Sequence, residues 1–168
     1  ANKFLLNDKD LVVDIGSNVG TLLSKFKNIG TIVHGIDPAP NIVMKAIKHG
    51  IDTECDFFNS VTINKILSSK GHASIVTCTN CFAHIDNLND LVLNVKKLIN
   101  KSGVFIFESP HIKNLIEKIE YDTIYHEHLS YLSLKPLIKF FSNHDMEIID
   151  VMNTDIHGGS FRVFIGNK

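Results

Sequence analysis

An excess of charge of either sign is missing from this 168-residue chain: 17 Lys and Arg stand against 18 Asp and Glu, a formal net charge of −1. A nucleic-acid-binding domain normally carries a basic excess, so no nucleic acid is expected as a partner. No apolar run approaches the ~20 residues of a membrane span, so no membrane is expected either. Cysteine is scarce, with three residues at positions 55, 78 and 81. An odd count at low density gives no disulfide framework and fits a reducing, cytoplasmic setting. A basic-then-apolar leader is lacking, which argues against secretion. The chain opens on Ala1 rather than Met, so a fragment or processed form of a longer protein is expected. Internal repeats, low-complexity stretches and Pro/Gly/Ser-rich linkers are also absent. The expectation is one domain over residues 1–168, large enough to bury roughly 70% of its unfolded surface. Nothing in the sequence sets an oligomeric state.

What is present is an alternation of short β-rich runs and longer helical ones. Leu11 to Ile15 is an apolar run stopped by Gly16, which predicts a buried strand. Thr21 to Asn28 carries Leu22, Leu23 and Phe26 at helical spacing. Further strands are expected at 31–36, 51–55, 73–78 and 104–108, with helices at 41–49, 61–69, 88–100 and 113–119. A helix at 135–143, opened by Ser133 as N-cap, precedes two final strands at 147–151 and 160–165. Five β-then-α units imply an α/β, Rossmann-like, mainly parallel seven-stranded sheet with helices on both faces. The last two strands lack a helix between them and should pair antiparallel. Ligands of such sheets sit beyond the carboxyl ends of the strands, where the strand order reverses.

The unusual residues fall there. Asp14-Ile15-Gly16-Ser17-Asn18-Val19-Gly20 joins the first strand to the first helix. Gly16 and Gly20 permit a tight turn and close approach of a ligand, and the helix start offers free N–H groups. A pyrophosphate loop would have the spacing G-x-G-x-x-G. Here Asn18 replaces the second glycine and the third moves to Gly20. Asp14 would repel a pyrophosphate and attract an ammonium or sulfonium, so a zwitterionic, cationic cofactor fits better than NAD. Asp37, ending the second strand, is placed to accept hydrogen bonds from ribose hydroxyls. Asp56-Phe57-Phe58, ending the third, could hold an adenine by hydrogen bond and stacking.

With these residues the sequence resembles the class I S-adenosylmethionine-dependent methyltransferases. The resemblance implies that Gly16, Ser17 and Asn18 lie along the methionine part of S-adenosylmethionine, Asp37 on the ribose and Asp56 with Phe57 near the adenine. Asn80, after the fourth strand, belongs to the same cofactor site.

The stretch Tyr121 to Tyr131 has a composition that core packing does not ask for. Between Asp122 and Leu129 stand two acids, two histidines and a tyrosine. This is the stock of a proton-transfer site, because histidine titrates near neutral pH and a neighbour sets its basicity. Tyr125-His126-Glu127-His128 with Tyr131, and His157-Gly158-Gly159-Ser160 with Arg162, resemble a narrower family: the C-methyltransferases of nucleotide-linked keto-deoxysugars. The loops Asn80 to Ile85 and Glu108 to His111 are similar to that family too. The resemblance implies that His128 removes a proton from the carbon beside a keto group, with Glu127 and Tyr125 orienting the base or stabilising the enolate. His84, His126, His157 and Ser160 would line the substrate site. The family also carries a zinc-binding segment before this domain and a second α/β domain after it.

Other readings are open at this level. A metal on His126 and His128 is not expected, since zinc hydrolases usually space such histidines at i and i+4 on a helix. Cys78 and Cys81 form a lone C-x-x-C, read as strand-end packing. An O- or N-methyltransferase on another small metabolite, a cofactor-binding module without activity, and a dehydrogenase are the alternatives. Asp14 and Asn18 disfavour the last.

Overall fold

The structure is a computed structural model and describes residues 6–168. Its elements are β1 (Leu11–Ile15), α1 (Thr21–Asn28), β2 (Ile32–Ile36), α2 (Pro40–Lys48), β3 (Thr53–Glu54), α3 (Ser60–Lys70), β4 (Ala73–Thr79), α4 (Leu88–Leu98), β5 (Ile99–Pro110), α5 (Ile112–Lys118), α6 (Leu134–Ser142), β6 (Met146–Thr154) and β7 (Ser160–Asn167). They form one seven-stranded sheet in the order β3-β2-β1-β4-β5-β7-β6. The pairs β1/β2, β1/β4, β2/β3 and β4/β5 are parallel, whereas β7 runs antiparallel to both β5 and β6. The expected sheet is therefore found, antiparallel end included.

Strand alternation divides the core in two. Leu11, Val13 and Ile15 of β1 face the larger cluster, with Ile63 and Ile66 of α3, Val92 and Val95 of α4, and Phe141 of α6. Val12 faces the smaller cluster, with Leu23 of α1 and Ala46 of α2. Stacked rings of Phe82 and Phe107, 4.2 Å apart, pack the larger side under the end of β5. Among the described residues no helix is long and apolar enough to cross a membrane.

Two local expectations change. The strand expected at 51–55 is only Thr53–Glu54, because this edge strand has a ladder partner on one side alone. Ser133 does precede α6, yet its side chain makes no capping hydrogen bond. Asn59 caps α3 instead, accepting from Val61 N at 2.9 Å and Thr62 N at 3.1 Å.

Candidate active site

The turn after β1 is pinned by its neighbour strand: Gly16 N and Ser17 N both donate to Ile36 O, at 2.9 and 3.1 Å. Gly16 has φ +68, and a Cβ there would sit 3.2 Å from Cys81 Sγ. Asn18, in the position of the missing glycine, adopts the left-handed region at φ 51. That is a conformation asparagine tolerates better than most residues. Its N–H donates to Asp37 Oδ2 at 3.0 Å, and Ala39 N donates to Oδ1 of the same carboxylate at 3.0 Å. Asp37 is thus held at the loop, with lone pairs left for hydroxyl donors.

Two large cavities meet at this turn. One, of about 990 Å³, runs along the α1 side of the sheet and is lined by Asp14, Gly16, Ser17, Asn18, Asn80 and Cys81, and deeper by Glu108 and Arg162. The other, of about 700 Å³, is lined by Gly16, Pro38, Asp56, Phe57, Asn80 and His84. Asp14 is buried on the cavity wall and accepts from Thr77 Oγ1 at 2.6 Å. Burial raises its carboxyl to about 7, opposed by the Thr77 hydrogen bond and reinforced by the charge of Asp37. A cationic group placed beside it would favour its charged form. Ser17 lines the same cavity, while its buried, unpartnered Oγ packs against Gly35 of β2.

A third cavity, of about 190 Å³, adjoins these and is lined by Asn80, His84, Ser109, Tyr125, His128 and His157 among others. His128 Nδ1 lies 2.8 Å from Thr123 O. A carbonyl only accepts, so Nδ1 carries the hydrogen and the neutral ring keeps its lone pair on Nε2. Tyr125 OH approaches that nitrogen at 3.3 Å. His84 is fixed the same way, by Nδ1 against Glu127 O at 2.8 Å, with its ring 4.9 Å from that of His128. Leu129 N and Ser130 N both donate to Ala83 O, at 2.9 and 3.2 Å, tying the segment to the turn after β4.

The site residues expected from sequence therefore divide. Asp14, Gly16, Ser17, Asn18, Asp56, Phe57 and Asn80 line the two large cavities, and Tyr125, His128, His84 and His157 line the third. Four are corrected. Gly20 starts α1 at φ +81, where a Cβ would meet Ile51 at 2.8 Å, so it serves packing rather than a cavity wall. Glu127 contributes its carbonyl to His84, while its side chain lines none of the three cavities. His126 is exposed and lines none of them. Ser160 is fully buried and donates to Ile156 O at 2.9 Å, holding the preceding turn. Cys78 lies in the larger core cluster and Cys81 packs against it, the packing role expected of the C-x-x-C, while Cys81 also borders both large cavities.

Sequence reasoning gave no role to Thr77, Thr123 or the pair Glu108–Arg162. Thr77 had a signal: a polar residue inside an apolar strand, in register with Asp14. Arg162 Nη2 and Nε reach Glu108 Oε2 at 2.6 and 3.0 Å across the β5/β7 ladder. Thr123 acts through its carbonyl, which no side-chain pattern announces.

Comparison with known proteins adds the following. A protein-family profile described as "Methyltransferase domain" matches residues 2–151. The chain is 38% identical over 159 residues to the C-methyltransferase NovU of Streptomyces niveus. The match covers 95% of this chain but only 38% of that protein's length. Among solved structures, the complex between the Trm112 methyltransferase activator and a methyltransferase of Haloferax volcanii superposes with a TM-score of 0.79. It shares 12% identity over 98% of this chain and 85% of that one. The magnesium protoporphyrin IX methyltransferase of Synechocystis PCC 6803, solved with bound SAH, gives a TM-score of 0.71 at 15% identity, over 94% of this chain and 74% of that one. At such identities the likeness is one of fold.

Proposed function

Because the chain belongs to the methyltransferase-domain family, we propose that it moves the methyl group of S-adenosylmethionine to a carbon next to a keto group of a nucleotide-linked deoxysugar. The 168 residues are read as one cofactor-binding domain carrying the base of the reaction. The relative named as a C-methyltransferase supports the reaction class. The observation that carries the carbon chemistry is His128: its Nδ1–H is committed to Thr123 O, so Nε2 is the basic atom in a cavity bounded by Asn80, which also borders both large cavities.

The residues present fit this cofactor. Gly16 leaves the backbone bare at the bend, on the wall of both large cavities. Asp14 suits an ammonium or sulfonium, Asp37 the ribose, and Asp56 with the exposed ring of Phe57 the adenine. When bound, the cofactor supplies an electrophilic methyl on sulfur.

The protein supplies the nucleophile. An alcohol or amine already has a lone pair, whereas a carbon must first lose a proton. His128 Nε2 takes that proton, and positioned proton transfer of this kind contributes typically about 10²–10⁴-fold. Thr123 O steadies the ring as it becomes cationic, because the same Nδ1–H bond strengthens when the imidazole is charged. Tyr125 O–H, 3.3 Å from Nε2, donates to that lone pair and holds the ring until a substrate takes its place.

Calorimetric titration with S-adenosylmethionine, followed by product analysis with a nucleotide-linked keto-deoxyhexose, tests the reading. A new C–C bond is expected. A methyl found on oxygen or nitrogen would replace it with an O- or N-methyltransferase.

A further inference from the structure

The 190 Å³ cavity holds a group that the mechanism above leaves idle. Ser109 is the last residue but one of β5, before Pro110, on the same face as Phe107, and lines this cavity with Asn80, His84, Tyr125 and His128. It is 1% exposed, and its Oγ has no protein partner within hydrogen-bond reach. An unpaired buried hydroxyl costs free energy that an alanine would not, so its presence asks for a partner that arrives from outside.

The polar groups around it narrow what that partner is. The Nδ1–H groups of His128 and His84 are spent on Thr123 O and Glu127 O, leaving lone pairs on both Nε2 atoms. Thr123 Oγ1 donates to Glu120 O at 2.8 Å. Asp122, when ionised, only accepts. What remains uncommitted is the Ser109 hydroxyl, the His157 imidazole and the side-chain amide of Asn80, which donates through Nδ2 while its buried, unpartnered Oδ1 only accepts. Asn80 is held at φ 55, a left-handed conformation that fixes where its amide starts. The cavity thus offers bases for a proton beside free hydrogen-bond donors for an oxygen.

We propose that Ser109 Oγ–H, assisted by the Asn80 amide, binds the carbonyl oxygen of the substrate and carries the charge this oxygen gains on enolisation. The inference rests on the reading of His128 as base. As the C–H bond breaks, its proton passes to His128 Nε2 and its electron pair becomes the C=C bond. The carbonyl π pair moves onto oxygen, where Ser109 donates. That pair restores the C=O bond when the carbon makes its new bond. An alcohol oxygen can accept from this donor pair but gains no charge, so Ser109 favours ketones in the rate of proton removal rather than in binding.

Proton exchange tests this without any methyl donor. The full chain is incubated in D₂O with a nucleoside-diphosphate-linked keto-deoxyhexose, and loss of the proton next to the keto group is followed by NMR. Wild type should exchange and His128→Ala should not. Ser109→Ala should exchange about 100-fold more slowly at saturating sugar, the usual effect of removing one oxyanion donor. Its KM should change little, and its melting temperature should equal or exceed that of wild type. Ser109→Cys, nearly isosteric but a weak donor, should also be slow. Wild-type exchange in Ser109→Ala, or a raised KM at unchanged maximal rate, overturns the role of Ser109 and leaves His128 standing. Recovery of full exchange in Ser109→Cys would reduce Ser109 to packing. No exchange in wild type overturns both the base and the donor.

Discussion

The bend after β1 and the His128 segment both border Asn80, but they are held by different means. At the bend, consecutive backbone N–H groups are bonded to Ile36 O and the Asp37 carboxylate, all within adjoining parallel strands. The His128 segment is a long connection between α5 and α6, tethered by two imidazole-to-carbonyl bonds and by Ala83 O. The first is a product of sheet geometry and is formed before any ligand arrives. The second depends on a few side chains that are themselves the chemistry. Mutations at the bend should therefore act on binding and stability together, whereas those in the segment should act on rate alone.

His128→Ala presses hardest on that contrast. It should lower methyl transfer by about 10³-fold, within the range of lost general-base catalysis, with S-adenosylmethionine affinity by calorimetry unchanged. A matching loss of affinity would mean that the two regions are one.

Asp14→Asn should come next, weakening S-adenosylmethionine binding by about 10-fold or more through the lost charge. It should also change how stability follows pH. The Asp14 carboxyl, near 3.8 when unfolded, rises to about 7 in the fold. Between those values the folded state binds the proton more tightly, so the stability of the ligand-free protein falls as pH rises from about 4 to about 7. Melting temperatures across this window should flatten in Asp14→Asn, and the variant should be the more stable protein at pH 8. A slope identical to wild type would show that Asp14 is not the group responsible.

Gly16→Ala should cost about 1–2 kcal/mol in denaturant titration from the left-handed backbone, compounded by the approach to Cys81 Sγ. Affinity for the cofactor should drop with it. Smallest is Asn59→Ala, which removes the α3 cap and about 1 kcal/mol of stability. A small loss of S-adenosylmethionine affinity should accompany it in calorimetry, because the side chain also holds Phe57 O and borders the 700 Å³ cavity.

Most of the fold and about half of the site could be read from residues alone, and the divide follows the same contrast. β1 and its turn are spelled out by an apolar run, an acid and a glycine that are neighbours in sequence. Tyr125 and His128 stood out because core packing gives no reason for them. At Glu127 a carboxylate is conspicuous in sequence, but the bond seen in the fold is made by its carbonyl, which every residue has. Thr123 escaped notice on the same account. Glu108 and Arg162 meet only because β7 runs antiparallel beside β5, a register that neither segment declares by itself. The short β3 reflects its place at the sheet edge, which its composition does not reveal.

Asn80 borders all three cavities, and with His84 it separates the smallest from its neighbours, so the partition is thin. On the proposed reaction, a bulkier residue at that position would seal them from each other, leaving a protein that enolises a ketone and never alkylates it. A glycine would open a channel for solvent, and the carbanion would be quenched by water before it met its electrophile. Either leak would register as turnover of hydrogen without turnover of carbon, a ratio set by the width of one amide.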